Sequence, residues 1–305
     1  MQTFLPVADF EESARLLDSP RLGKQRVETL QILRALELPD YGWANHPAVL
    51  MWRGRTAALV AYGLAMVRVW RDRGYADTTD AQIAEFAPDV VGAAQDDLAA
   101  AGLLPSWVGD EALHRSHRSN LVAKDPAFYR ARFAELFGAE PDDLPYVWPG
   151  PDDVPPSPEP EGVRVWVVRP RAHGELGACL ATGVVGLGTQ AGVDVDATGL
   201  SPAELRALAK ELSGRRPAKD LRQLSVLVDE MRPGDPVAVP VEQGAGLLLG
   251  EVVGDYLFQG RELLPHRRPV RWDRVVPRSA VRPPSALQDP RALFSVVLDP
   301  AVLER

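Results

Sequence analysis

Eight prolines fall within residues 139–162, interleaved with acidic side chains. Each proline fixes φ and removes a backbone donor, so no regular helix or central strand can run through this stretch. The chain of 305 residues is therefore cut in two, and a length of this order favours two domains in any case. The expected organisation is a first domain over residues 1–138, a linker over 139–162 and a second domain over 163–305. Within the linker, Tyr146, Val147 and Trp148 should tack the first half onto the preceding domain, while residues 151–160 should be extended and polyproline-like.

The two halves differ in texture. Before the linker the pattern is helical. Asp9 is placed to cap a short helix, Ser19 with Pro20 opens a second, Pro47 opens a long one running towards Arg73, and Asp110 and Asp125 start two more that end near Phe137. No strand is expected there, so the first domain reads as all-α. After the linker, short β-branched runs at 163–168, 184–187, 236–240, 247–253, 270–272 and 294–298 are separated by turn residues. Ser201 and Glu204 make a capping box with Pro202 at the first helical position, for a helix to about Ser213, and Asp220 is placed to cap another reaching Met231. The sum is an α+β domain, a small and partly closed β-barrel with inserted helices.

With 46% hydrophobic and 25% charged residues the composition is that of ordinary globular protein. No run of about 18 residues is apolar and free of charge, and the start of the chain has no basic region ahead of an apolar one. Neither a membrane span nor a secretory signal is expected, and the expected location is the cytoplasm. Cys179, in an apolar segment that reads as strand, is the single cysteine, which excludes an internal disulfide and a Cys-rich zinc site. Its expected role is that of a buried small hydrophobe. A formal net charge of −8 argues against nucleic-acid binding by bulk electrostatics, since sequence-independent affinity comes from Lys and Arg neutralising phosphates. Any DNA site must be a local, salt-sensitive patch.

One helix carries such a patch. At about 100° per residue, Arg21, Lys24, Glu28 and Gln31 share one quadrant, opposite Leu22, Val27, Leu30 and Leu33. A carboxylate among cations suggests chemistry on an anionic ligand; on spacing alone the stripe is also compatible with a solvated face whose Lys24–Glu28 pair is worth a few tenths of a kcal/mol. Arg26 falls on the apolar side, where it needs either a buried acid as partner or a phosphate for its planar fork. His46 sits at a helix start, where anions are favoured, and is alternatively a structural hydrogen-bonder. His114 and His117, one turn apart beside Arg118, suggest a polar site that Lys124 and Tyr129 could join. Three histidines with no acid or cysteine at a familiar spacing do not call for a metal, and nothing calls for a cofactor. Trp43 and Trp52 could stack on or wedge beside a flipped nucleotide, Trp52 being more at home in the core.

The first domain resembles the pyrimidine-dimer DNA glycosylase family, including its short actinobacterial relatives. The likeness is carried by Leu17-Asp18 followed by Glu28, by Gly42-Trp43-Ala44-Asn45-His46-Pro47, by Arg73-Gly74-Tyr75, by His114-Arg115-Ser116-His117-Arg118-Ser119-Asn120, and by Lys124-Asp125-Pro126-Ala127-Phe128-Tyr129. The resemblance implies an all-α glycosylase whose N-terminal α-amine attacks the sugar C1′ beside an essential helix glutamate. Glu28 would be that glutamate. Phage-type members expose a Thr amine after losing Met, whereas the bulky Gln2 here hinders Met removal and leaves Met1 to supply the amine. An α-amine with an ordinary pKa of about 8 is partly neutral at physiological pH and is a usable nucleophile, and a nearby carboxylate can stabilise a cationic sugar and shuttle protons. A terminus merely packed by Phe4 and Leu5 is the structural alternative. Gln2, Arg21, Lys24, Arg26, Asn45, His46, His114, His117, Arg118, Lys124 and Tyr129 are the expected DNA contacts.

The second domain resembles EVE-like and PUA-like modules of modification-dependent restriction proteins. The residues concerned are Trp166-Val167-Val168-Arg169, Val185-Gly186-Leu187-Gly188, Met231-Arg232-Pro233-Gly234-Asp235, Leu249 to Tyr256, His266 to Trp272 and Val276-Pro277-Arg278-Ser279. The resemblance implies a modified-base pocket with Trp166 and Tyr256 as walls and His266 and Arg267 as edge or phosphate contacts, although Trp166 and Trp272 also suit a barrel core. The function expected from both halves is a DNA glycosylase, or glycosylase and abasic-site lyase, coupled to a reader of modified DNA and directed at foreign, for example phage, DNA. Its partner would be double-stranded DNA with a damaged or modified base, with no membrane and no obligate protein partner. A noncatalytic binder of modified nucleic acid is the rival, and a protein-interaction scaffold a third reading.

Overall fold

The computed structural model describes residues 1–39, 41–152, 161–188, 193–213 and 221–303. The chain separates into two compact units, Met1–Glu159 and Pro160–Arg305. Among the described residues no helix is long and apolar enough to cross a membrane.

The first unit is helical: α1 (Phe10–Leu16), α2 (Ser19–Glu37), α3 (Pro47–Leu50), α4 (Thr56–Asp72), α5 (Asp80–Ala84), α6 (Gln95–Ala100), α7 (Glu111–Lys124) and α8 (Pro126–Phe137). Asp9, Asp110 and Asp125 each accept a backbone N–H of the helix that follows, the N-cap chemistry that makes such starts legible. The cap of α2 is Asp18, one residue before the expected Ser19; its carboxylate accepts the Arg21 N–H at 2.7 Å. The single long helix expected from Pro47 towards Arg73 is broken. Gly54 takes a left-handed φ of +75° between α3 and α4, and the interruption lets the buried Trp52 donate its indole N–H to Thr3 Oγ1 at 2.9 Å. The described part of the linker is anchored to this unit: Tyr146 and Trp148 pack on its core, and Asp152 pairs with Arg55 at 2.7 Å. Residues 153–160, expected to be extended, lie outside the described residues.

At the centre of this unit runs the N-terminal segment, buried from Gln2 to Pro6. Its backbone is satisfied by side chains instead of by a sheet. The Phe4 N–H donates to Gln25 Oε1 at 2.8 Å, and Tyr62 donates to the Phe4 carbonyl at 2.9 Å. The backbone of Leu5 is held at both of its polar groups: its N–H donates to His117 Nδ1 at 2.9 Å, and its carbonyl accepts from His114 Nδ1 at 2.8 Å. Arg118 donates to the Pro6 carbonyl at 2.8 Å. His114, His117 and Arg118, expected as DNA contacts, are thus interior side chains that hold the terminus. Tyr129, also expected there, is buried, and its hydroxyl accepts the Asp18 N–H at 3.0 Å.

The second unit is a mixed sheet of β1 (Val163–Val168), β2 (Val184–Leu187), β3 (Pro236–Val241), β4 (Gly246–Val252), β5 (Leu257–Phe258), β6 (His266–Pro277) and β7 (Leu293–Leu298), in the order β2-β6-β4-β3-β1-β7 with β5 on β6. β1 and β3 are parallel and the other pairs antiparallel. The sheet is open and does not close into the expected barrel. Both of its faces are covered: Trp166 and Val168 point to a core shared with α10 (Pro202–Ser213) and α11 (Leu221–Ser225), Val165 and Val167 to one shared with Ala280, Val281 and Leu287. A sheet buried on both faces has no need to curl on itself to hide one. Ser201 and Glu204 exchange the two bonds of a capping box at the start of α10, at 2.7 and 3.3 Å; Asp220, expected to cap the next helix, lies outside the described residues. Cys179 sits on α9 (Glu175–Thr182), not on a strand, where burial pushes its thiol up to about 12, the Glu175 charge adding to the effect. A short α12 (Pro300–Leu303) follows β7.

Two consequences are measurable. A Cβ on Gly63, where α4 crosses α2, would lie 2.6 Å from Thr29 Cγ2. Overpacking of this kind costs about 1–3 kcal/mol, more than the roughly 1 kcal/mol a helix gains from Gly to Ala, so Gly63→Ala should lower the urea midpoint. The second concerns His117, whose pKa is pulled down to about 3 by burial, the charge of His114 adding to the shift. The unfolded chain takes up that proton near pH 6.5 and the folded chain only near pH 3, so stability is whole above pH 6.5 and is lost as the pH falls towards 3. Between pH 7 and pH 5 this group alone should remove about 2 kcal/mol. His117→Asn, whose Oδ1 can accept the Leu5 N–H, should flatten the pH slope of the urea midpoint; an unchanged slope would show that the ring is not held neutral.

Candidate active site

The pinned segment delivers its first residue to Glu28. The Met1 α-nitrogen lies 3.9 Å from Glu28 Oε1, beyond a hydrogen bond. The other oxygen is engaged: Oε2 accepts the Gln2 N–H at 3.2 Å and the Gln25 amide at 3.3 Å. Two donors thus fix the carboxylate plane and leave Oε1 facing the amine. Glu28 gets there because α2 turns Leu22, Leu30 and Leu33 into the core, which puts the stripe roughly opposite. Val27, expected on the apolar side, is 44% exposed; it lies only about 40° from Gln31 around the helix, at the margin of the stripe.

A cleft of about 520 Å³ opens over this pair, within the range of about 300–1,000 Å³ typical of small-ligand sites. Met1, Gln2, Arg21, Lys24 and Glu28 line it together with His46 and Lys124, and Tyr146 and Trp148 form an aromatic side. Lys24 and Lys124 are exposed and have no ion pair among the described residues. Arg21 is positioned by Asp18 at 2.6 Å and by the Lys124 carbonyl at 3.1 Å. His46 caps α3 by accepting the Ala48 N–H at Nδ1, at 3.1 Å; burial, then the charge of the N-terminus, lowers its pKa, so it is neutral at pH 7. The arrangement offers an amine, a carboxylate beside it and cations at the rim.

The remaining expected contacts lie elsewhere. Arg26 pairs with Asp77 and lies 4.3 Å over the Trp70 ring, which accounts for a charge on the apolar side of α2. Asn45 is exposed on the loop before α3, and neither it nor Gln31 lines the cleft. Trp52 is core, whereas Trp43 is 66% exposed. Gln25 and Tyr62, which hold the segment and each other through a 2.6 Å bond, were not expected, nor were Tyr146 and Trp148 as cleft residues. The available signals were a glutamine three residues before Glu28 and a pair of aromatics in an otherwise proline-rich tract. Among the described residues no three His, Cys, Asp or Glu side chains cluster as metal ligands do.

In the second unit the four expected pocket residues each have internal hydrogen-bond partners. The Trp166 indole donates to Asp235 at 3.0 Å. Tyr256 bonds His266 Nδ1 at 2.7 Å, and His266 Nε2 reaches the Val193 carbonyl at 2.8 Å. Burial is the first cause of a lowered His266 pKa, so the ring is neutral, accepting from Tyr256 and donating to Val193. Arg267 is buried and donates to the Leu264 carbonyl at 2.6 Å and to Gln259 at 2.9 Å. His266 and Arg267 are therefore spent on internal bonds.

Comparison with known families gives two matches. Residues 1–83 match a family model described as pyrimidine dimer DNA glycosylase, and residues 174–284 match one described as a domain of unknown function, DUF8426. No curated protein matches the chain. The first match spans the segment that carries Met1, Arg21, Lys24, Glu28 and His46, and supports DNA glycosylase activity, with DNA as substrate, at a coarse level. The second adds no function to the mixed sheet.

Proposed function

We propose that the N-terminal unit excises a damaged or modified base from duplex DNA, with the Met1 α-amine as nucleophile and Glu28 as its carboxylate partner. The observation that carries this reading is the 3.9 Å approach of the Met1 nitrogen to Glu28 Oε1 at the end of a buried, side-chain-bonded segment. The glycosylase match over residues 1–83 adds the reaction class.

The chemistry follows from the donors present. The neutral amine attacks C1′, the C1′–N bond breaks, and the base leaves with the electron pair and takes up a proton. One amine proton then passes to O4′ as the C1′–O4′ bond opens, the nitrogen lone pair forms the C=N bond, and a cationic imine is left, which the Glu28 carboxylate would face. Removal of a C2′ proton would expel the 3′ phosphate and cut the strand; water otherwise releases the sugar as an abasic site. Lys24 and Lys124, at the rim, suit the phosphates on either side. The part of a modified-DNA reader falls to the second unit on its resemblance alone, and binding of the full chain to modified against unmodified duplexes tests it.

Incubating the chain with ultraviolet-irradiated or base-modified duplex and borohydride should trap a covalent adduct at Met1, identified by peptide mass. Glu28→Gln should retain binding while turnover falls by about 100-fold or more, the usual range for a lost acid–base group. One glycine added before Met1 should abolish trapping; undiminished excision by the extended chain would sink the amine mechanism, and binding without adduct or abasic product would favour a noncatalytic binder. A separate expectation concerns the rim. Lys24→Ala and Lys124→Ala should each weaken binding to all duplex sequences alike and reduce the slope of log K against log salt by about 1, read by fluorescence anisotropy over a salt series.

A further inference from the structure

Trp43 is the most exposed large apolar side chain among the described residues, at 66%. Its backbone also takes a left-handed φ of +76°, a conformation strained for a bulky residue. The turn is closed by the His46 N–H donating to the Trp43 carbonyl at 2.8 Å. An indole in solvent on a disfavoured backbone contributes little to folding, and its position suggests another use. The ring meets His46 edge-on at 5.8 Å. From there the aromatic line continues to Trp148 at 6.3 Å and on to Tyr146 at 5.3 Å. His46, Trp148 and Tyr146 line the cleft that holds Met1 and Glu28, and Arg21, Lys24 and Lys124 supply its cations. Rings and cations sharing one concavity suit a nucleotide, its base against the rings and its phosphates at the cations.

We propose that Trp43 is a wedge: when the N-terminal unit engages duplex DNA, the indole enters the base stack where the target nucleotide has left it, while Tyr146 and Trp148 receive the everted base. This rests on the excision reading above. Everting a nucleotide costs the stacking on both of its sides, and an aromatic side chain that fills the gap restores part of it. Only an exposed ring, held out from the surface, can enter a stack; a left-handed residue at the cleft's edge provides that projection.

The test uses the full chain carrying Glu28→Gln, so that binding is read without turnover, and a duplex containing a tetrahydrofuran abasic analogue next to 2-aminopurine. Binding should quench the 2-aminopurine as the indole stacks on it. Trp43→Ala in the same background should remove the quench and weaken binding about 10- to 100-fold, in line with the loss of one base–aromatic stack, and Trp43→Phe should recover most of both. Trp43→Gly, which suits the left-handed backbone, should raise the thermal midpoint while weakening binding to the same extent. Stability and affinity would then move in opposite directions, which a purely structural role does not produce. Unchanged affinity and quenching in Trp43→Ala would overturn the wedge and leave the excision reading standing. A folded Glu28→Gln chain that binds no duplex would overturn both.

Discussion

The N-terminal unit depends on how residues 2–6 are buried without a sheet to pair with. Each buried N–H or C=O left without a partner costs about 1–3 kcal/mol, so a segment of this kind needs a dedicated set of side chains. Gln25 from α2, Tyr62 from α4 and His114, His117 and Arg118 from α7 provide it. The two histidines do opposite jobs on the two peptide groups that flank the Leu5 Cα. His114 donates from Nδ1 to the Leu5 carbonyl while its Nε2 accepts the Gly109 N–H; His117 accepts the Leu5 N–H at Nδ1, so its remaining proton sits on Nε2. Both rings must stay neutral for this, and burial lowers both pKa values. The helical spacing of His114 and His117 therefore reads as a clamp on the backbone of one residue, Leu5.

That clamp sets the geometry of the cleft. With Phe4 and Leu5 fixed, the chain brings Gln2 and Met1 to Glu28, whose Oε2 is already held by the Gln2 N–H and the Gln25 amide. Gln25 serves twice, since its Oε1 accepts the Phe4 N–H and its nitrogen donates to Glu28. Backbone satisfaction and the orientation of the carboxylate are thus one hydrogen-bond network. An acidic chain can still present a local cationic rim, because many of the other arginines of this unit, such as Arg26, Arg55 and Arg118, are paired with acids, while Lys24 and Lys124 have no ion pair among the described residues.

What could be read from the sequence was local. The caps Asp9, Asp110 and Asp125 act on residues two or three positions away, the Glu28 stripe follows from the helical repeat, and the β-branched runs of the second unit correspond to β1, β2, β3, β4, the middle of β6 and β7. Contacts over long separations were not legible. His117 meets a residue 112 positions earlier, so a charged and aromatic motif read naturally as a surface. The break at Gly54 depends on Trp52 turning inward to Thr3, a demand that the helical pattern of 47–73 does not announce. Whether a mixed sheet closes is decided by which of its faces are covered, and the residues covering one face of β1 come from well over 100 positions away.

A terminal amine as nucleophile, the role proposed above for Met1, has a physical logic in such a cleft. A lysine ammonium, with an ordinary pKa of about 10.4, must be desolvated or crowded by cations before it can attack. That requires a closed, apolar pocket, which conflicts with a cleft lined by Arg21, Lys24 and Lys124. An α-amine, at about 8, needs no such help and can work in an open, wet, cationic concavity. The difficulty moves to entropy, since each ordered backbone residue costs about 1–2 kcal/mol and a free end is the most mobile part of a chain. Burying residues 2–6 among Gln25, Tyr62, His114, His117 and Arg118 meets that cost within the fold, before any substrate arrives.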